Sequence, residues 1–257
     1  MLFRTVYGLE LDAIYQLIWN CNQTNLFPTK DELCRLVLPG IVDKAIQTTQ
    51  PVEDALSFLH SAGMIADGET VQACFDLSQK SFQLLLLKQL IQIRKGLIAP
   101  VHPLDPLFIQ LLDELYIAPD NLYIANVHQE ANRLKAVQDA GGISKEKVQA
   151  WKRVLEFLGI GLRIQSGFLC TYTPVIIQTI INDWTEENGG LQDFLENHFS
   201  NYLPYCTRAG EIAQAVALPF NILEKDGFVE LVPLQDSPAR FYFGDRKLRG
   251  IARKLQP

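Results

Sequence analysis

Residue types able to do covalent or metal chemistry are present, but their spacing does not suit it. The four histidines, His60, His102, His128 and His198, are widely separated, and His128-Gln129-Glu130 has the wrong phase for a zinc-binding His-Glu-x-x-His helix. The five cysteines (21, 34, 74, 170, 206) include no C-x-x-C pair, so buried free thiols are expected rather than a disulfide framework or thiolate site. Gly141-Gly142 is not followed by Lys-Ser/Thr, and Ser166-Gly167 lacks the surroundings of a nucleophile elbow. The carboxylate pairs Asp113-Glu114 and Glu186-Glu187 are adjacent, so on a helix they diverge. No metal and no cofactor are expected, and the chain reads as a non-enzyme. The alternative is a catalytic site that assembles only in three dimensions.

Phosphate neutralisation is the chemistry the charged residues could do, and their distribution says where. The chain has 257 residues, 48% of them hydrophobic, and a net charge of −6. That composition fills cores and excludes disorder as a global description. Residues 1–78 carry four Lys/Arg against ten Asp/Glu, whereas residues 79–163 carry eleven against eight. Residues 164–207 carry five acids and no Lys or Arg. At the end, Arg240, Arg246, Lys247, Arg249, Arg253 and Lys254 face only Asp245 over residues 237–257. A duplex would therefore meet a basic middle or a basic tail, never the acidic first part.

These side chains need elements to hold them, and one pattern recurs three times. An amphipathic helix closes on an apolar residue, and a glycine follows four positions later. An apolar pair then starts a hairpin: Leu59 to Gly63-Met64-Ile65, Phe157 to Gly161-Leu162, and Leu223 to Gly227-Phe228-Val229. Glycine suits the left-handed residue that ends a helix. Val71, Ala73, Phe75 and Leu77 alternate after the Asp67-Gly68 turn, Phe168, Cys170 and Tyr172 after Ser166-Gly167, and Arg240 to Phe243 return after a loop bounded by Pro233 and Pro238. Such ribbons must lie on helices.

In the first repeat, Leu9, Leu11, Ile14, Leu17 and Ile18 line a helix face. Thr29 caps a second helix that buries Leu33, Leu36 and Val37, and Pro51 opens a third. The second repeat reads as helices near Pro106–Tyr116 and Asp120–Val137, then one opened by Ser144 with the stripe Val148, Trp151, Val154, Leu155, Leu158. The third reads as helices near Leu191–Tyr202, Thr207–Ala215 and Pro219–Lys225. Connecting helices are expected at Gln79–Lys95 and Pro174–Trp184. No targeting signal or stretch of about 18 uncharged apolar residues is evident, so a soluble, cytoplasmic protein without a membrane partner is expected.

Three helices followed by a hairpin is the element order of a winged-helix domain, and the chain resembles a tandem winged-helix protein of the helix-turn-helix superfamily. The resemblance rests on element order and covers nearly the whole chain. It implies a mainly α fold with short β-hairpins, in which serial winged-helix domains are joined by connecting helices. Domain 1 would be 1–78, a connecting helix and linker 79–103, domain 2 104–173, a connecting helix 174–190, and domain 3 with its basic tail 191–257.

In that family the third helix enters the major groove and the wing touches the flanking backbone. Carried over, this points to Lys145, Lys147, Lys152, Arg153 and Arg163 in the second unit, and to Lys225, Arg240, Arg246, Lys247 and Arg249 in the third. Double-stranded DNA is then the partner. The competing expectation is a scaffold or adaptor of a multi-protein, ATPase-containing assembly. It would dock a protein or a second copy through domain 1, or a basic partner through the acidic connector with Trp184, Glu186, Glu187 and Asp193.

Overall fold

The sequence periodicities resolve into short helices and shorter antiparallel strands. The computed structural model describes residues 1–38, 49–232, 239–241 and 246–254. Helices α1 (Gly8–Gln23), α2 (Lys30–Val37) and α3 (Gln50–Ser61) lead into the hairpin β1 (Ile65–Asp67) and β2 (Val71–Ala73), then α4 (Phe82–Arg94). Next come α5 (Leu107–Leu112), prolonged by a π turn at Asp113–Ile117, then β3 (Tyr123–Ile124), α6 (Val127–Ala131) and α7 (Lys135–Asp139). They are followed by α8 (Lys145–Phe157), β4 (Gly161–Ile164) and β5 (Gly167–Cys170). The last stretch holds α9 (Pro174–Asn182), β6 (Asn188–Gly190), α10 (Leu191–Asp193) with π and 3-10 turns to Asn201, and α11 (Gln214–Lys225). It closes with β7 (Val229–Val232), β8 (Arg240–Phe241), β9 (Lys247–Leu248) and β10 (Gly250–Arg253).

The strands form two pairs, β1-β2 and β8-β9, and two three-stranded sheets in the orders β3-β5-β4 and β6-β10-β7. Mainly α with short hairpins is thus the observed class.

Gly63 and Gly227 have φ of +69° and +72°, whereas in the second repeat the left-handed stop is Gly159 (φ +73°), two residues before the expected Gly161, which opens β4 instead. At the first, the Met64 amide reaches back to the Leu59 carbonyl, and at the third the Phe228 amide reaches Leu223. These bonds satisfy carbonyls the helix end would leave bare and turn the chain into its strand.

The chain divides into two compact units: Met1–Phe108 with Lys135–Phe157, and Ile109–Leu134 with Leu158–Pro257. The first takes α8 away from β3, β4 and β5, which sit in the second, so the division cuts across the second repeat. Its reason is packing. Gly8 opens α1 so close to α8 that a Cβ there would lie 1.9 Å from the Phe157 ring. The Trp151 indole of α8 donates to the Phe108 carbonyl at 2.7 Å.

Thr29 and Glu32 cap α2 reciprocally, as a capping box does. Helix α4 buries Phe82, Leu84–Leu87, Leu90, Ile91 and Ile93, apolar on nearly every side, so it is a core helix rather than an amphipathic connector. Leu9 and Leu36, expected inward, are exposed.

In the second unit two expected helices are replaced. Over Asp120–Val137 the chain turns at Asp120 (φ +57°) and adds β3 beside β5, with Tyr123 opposite Leu169 and Ile124 opposite Phe168, before α6 and α7. Asp120 instead caps α11, accepting from the Gln214 backbone at 2.7 Å and its side-chain amide at 3.0 Å. Of the helix expected over Thr207–Ala215, residues 207–213 are instead a loop closed by a Cys206–Ile212 bridge, because Gly210 sits at φ +81° and Thr207–Gly210 supplies no apolar stripe. Helix α11 then runs unbroken through Pro219. The ring leaves the Ala215 carbonyl without its helical donor, and the Tyr172 amide fills that place at 3.0 Å.

Tyr15 ties α1 to the strand exit in the first unit. Its hydroxyl donates to the Phe75 carbonyl and accepts from the Phe75 amide, both at 2.9 Å. Burial pushes its pKa up to about 12. A raised pKa means stability that is complete below pH 10 and lost as pH rises through the folded value. Tyr15→Phe leaves two backbone groups short of a partner and should cost about 1–3 kcal/mol in urea unfolding at pH 7. It should also flatten the alkaline loss of stability between pH 10 and 12.

Candidate interaction surfaces

The second repeat's cations are scattered by the packing of α8. Lys145 is exposed and Lys147 half-buried in its first turn. Lys152, expected on a phosphate, is only 1% exposed. It lies on the buried side with Trp151 and Val148, so its ammonium is not on a groove-facing surface. Arg153 stacks on the Tyr7 ring, 5.1 Å from its centroid, which commits the guanidinium to α1. Arg163 is exposed on β4.

The third repeat does gather its residues. Arg246 forms a forked pair with Glu224 at 3.0 and 3.1 Å and reaches Asn221 at 3.4 Å, bringing the basic tail onto α11. Lys225 is exposed at the end of that helix, Lys247 is exposed on β9, and Arg249 is half-buried beside it. Arg240 lies in β8 opposite Leu248, and its side chain is outside the described residues, as are Pro233, Pro238, Tyr242 and Phe243. Lys254 pairs with Glu230 at 3.2 Å. Part of the tail's positive charge is therefore balanced internally.

The acidic connector divides in two. Trp184 is 6% exposed and packs edge-on against Phe194 at 5.0 Å, in a cluster with His198, Phe199 and Phe220. That role is core, so a docking indole is corrected to a packing one. Glu186, Glu187 and Asp193 are exposed. The Glu187 carbonyl accepts from the Arg253 amide at 2.8 Å, and the Asp193 carboxylate accepts from the Asn197 side chain.

One surface went unread in the sequence. In the sheet β3-β5-β4, Tyr123, Leu169 and Leu162 stand side by side on one face, and Ile164 continues it opposite Gly167. Tyr123 is 47%, Leu162 51% and Ile164 42% exposed, while Leu169 between them is half-buried. The opposite face carries Phe168, fully buried against Tyr116. Tyr123 lies flat across the sheet because residue 167 is glycine: a Cβ there would sit 2.5 Å from the phenol oxygen. The signal was available. Gly167-Phe168-Leu169-Cys170 is an unbroken apolar run, and such a run marks a strand covered on both faces, whereas alternation marks one wet face.

Among the described residues no group of three or more His, Cys, Asp or Glu is placed to hold a metal ion. None of their helices is long and apolar enough to cross a membrane. Burial alone pushes the Cys170 thiol far above its ordinary value, so it is not a nucleophile at neutral pH. Comparison with protein-family models, curated proteins and solved structures finds no match.

The Glu224 carboxyl is held below its ordinary value first by its hydrogen bond from Arg246. A depressed carboxylate keeps the contact above the ordinary Glu range and loses it as pH falls through the folded value. In a carboxyl NMR titration, Glu224 should therefore titrate below the ordinary glutamate value and move back toward it in Arg246→Gln.

Proposed function

We propose that this chain is a non-enzymatic interaction protein built on winged-helix-like modules, acting as a scaffold or adaptor rather than as a reader of DNA through its second repeat. The observation that carries this reading is the apolar outer face of β3, β5 and β4, on whose hairpin Arg163 is the exposed cation of the two strands. Two further features support it. The helix that would enter a groove, α8, has Lys152 buried and Arg153 stacked on Tyr7. Around it the first 78 residues carry a strong excess of acid, which repels phosphate.

A second reading has its own observation. Arg246 against Asn221 and Glu224 puts the basic tail on α11, as a wing would lie beside its helix in a DNA-binding third module.

Fluorescence anisotropy with a labelled duplex separates the two. The scaffold reading expects no saturation below about 10 μM at low salt, since non-specific duplex binders reach about 10⁻⁴–10⁻⁶ M even at physiological salt. Saturable binding that weakens steeply with salt would overturn it. If that binding disappears when Arg240, Arg246, Lys247 and Arg249 are all changed to Glu, the third module is the reader.

A further inference from the structure

We propose that the groove between the end of α1 and α2 binds a small apolar carboxylic acid, with its apolar body on Leu26, Phe27 and Leu36 and its carboxylate on Arg35. The proposal stands apart from the protein-interaction reading, since the ligand is a small molecule and the site lies on other elements.

The turn after α1 builds the groove. Asn25 takes the left-handed conformation at φ +58°, which asparagine visits more readily than most residues. Around it the Leu26 amide donates to the Cys21 carbonyl at 2.9 Å, and the Asn22 side-chain amide donates to the Leu26 carbonyl at 3.1 Å. The Asn22 Oδ1 accepts from the Ala73 amide of β2 at 2.7 Å, and the Pro28 carbonyl accepts from the Val71 amide at 2.8 Å. The turn is thus bonded to both helix and strand, and it holds Leu26 and Phe27 outward. Leu36 comes from α2, and all three side chains are exposed. With Cys21 and Pro28 they line a cavity of about 400 Å³. Small ligands are held in cavities of about 300–1,000 Å³ with mostly apolar walls and a few polar groups that orient them.

Those polar groups select the charge of the ligand. Among the described residues, the charged side chains lining the groove are Glu32 and Arg35. The Glu32 carboxylate is turned to the helix cap, where it accepts from the Thr29 amide at 2.8 Å and the Thr29 hydroxyl at 3.0 Å. The backbone bond first, then the hydroxyl, holds its pKa below the ordinary value, and the nearby Arg35 is the smallest of the causes. Among the described residues no hydrogen bond or ion pair holds the Arg35 guanidinium, which stands exposed one turn further along α2. A planar guanidinium fork matches a carboxylate and repels an ammonium. The excess acid of residues 1–78 disfavours any anion at long range, but salt screens it beyond about 8 Å under physiological conditions. The cation inside the groove is what a bound ligand meets.

Decanoate is a suitable probe, and decyltrimethylammonium and decanol carry the same chain with opposite and no charge. In a methyl NMR titration of the full chain, decanoate should shift Leu26 and Leu36 and saturate with a Kd of about 0.1–1 mM, as expected of a small ligand in an open groove. Decyltrimethylammonium should bind at least about tenfold more weakly. Arg35→Gln should weaken decanoate by about tenfold and leave decanol unchanged, a split that misfolding would not produce. Leu36→Ser, at an exposed position, should weaken decanoate and decanol alike while circular dichroism matches the parent. Absence of saturation by about 5 mM decanoate would overturn the proposal. So would an ammonium that binds as tightly as the acid, or an Arg35→Gln variant that holds decanoate unchanged. Leu26 and Leu36 resonances that move with protein concentration alone would assign the groove to a second copy and overturn it as well.

Discussion

Backbone handedness at the end of an amphipathic helix is the constraint from which the three repeats follow. A helix that stops in a left-handed glycine turns its last carbonyls toward the next residues' amides, and the apolar pair that comes next is thrown back along the helix as a strand. Gly63, Gly159 and Gly227 all adopt that conformation, and each is followed by a strand within two residues. The strands are three or four residues long, too short to stand alone, so each ribbon depends on helices in its own unit. Fixing the helix stop thus fixes which residues face the core and which rows face outward.

What the outward rows carry then decides what the protein can touch. Cations suited to phosphate are common enough along the chain, and Lys145, Arg163, Lys225 and Lys247 stay exposed, but packing draws others away. Lys152 goes inward with the stripe of α8, Arg153 goes to Tyr7, and Arg246 goes to Glu224. None of these losses is a property of charge composition. For Arg153 and Arg246 the neighbour comes from another element of the same unit, and helical spacing could place the cations but not that neighbour.

The same distinction explains how much could be read from the sequence. Caps, helix stops and stripes are local, and several were legible: Thr29 with Glu32, Pro51, Gly63 and Gly227, and Trp151 with Val154 and Leu155 all sit where their chemistry places them. Misreadings fell where a tertiary contact supplied what the local sequence lacked. Pro219 looked like the start of a new helix, but the Tyr172 amide satisfies the carbonyl it orphans, so α11 passes through it. Asp120 looked like the start of a helix, but its carboxylate accepts from the Gln214 amide ninety-four residues on. Leu122 and Ile124 looked helical because a two-residue strand has too little length to show a period of two. Of the candidate site, the acidic and basic segments were legible as composition. Trp184 was misplaced as a docking residue because a buried indole and an exposed one look alike in sequence.

The outer face of β3, β5 and β4 shows why apolar alternation deserves to be read strand by strand. Across the β4–β5 hairpin, Phe168, Cys170 and Tyr172 suffice to predict a buried side, and the other side is assumed wet. Leu169, Leu162 and Ile164 contradict that assumption at every position that pairs on the outer row. Folding gains little from keeping large apolar groups in water at about half exposure, and burying one such side chain fully is worth about 1.5–3 kcal/mol. The companion face buries Phe168 against Tyr116 but leaves Arg163 exposed, so the two faces of one short sheet divide their apolar surface unequally. The net charge of −6 bears on the same point from the other side. Spread over residues 1–78 and 164–207, it makes most of the surface acidic, whereas the outer rows of this sheet carry no charge.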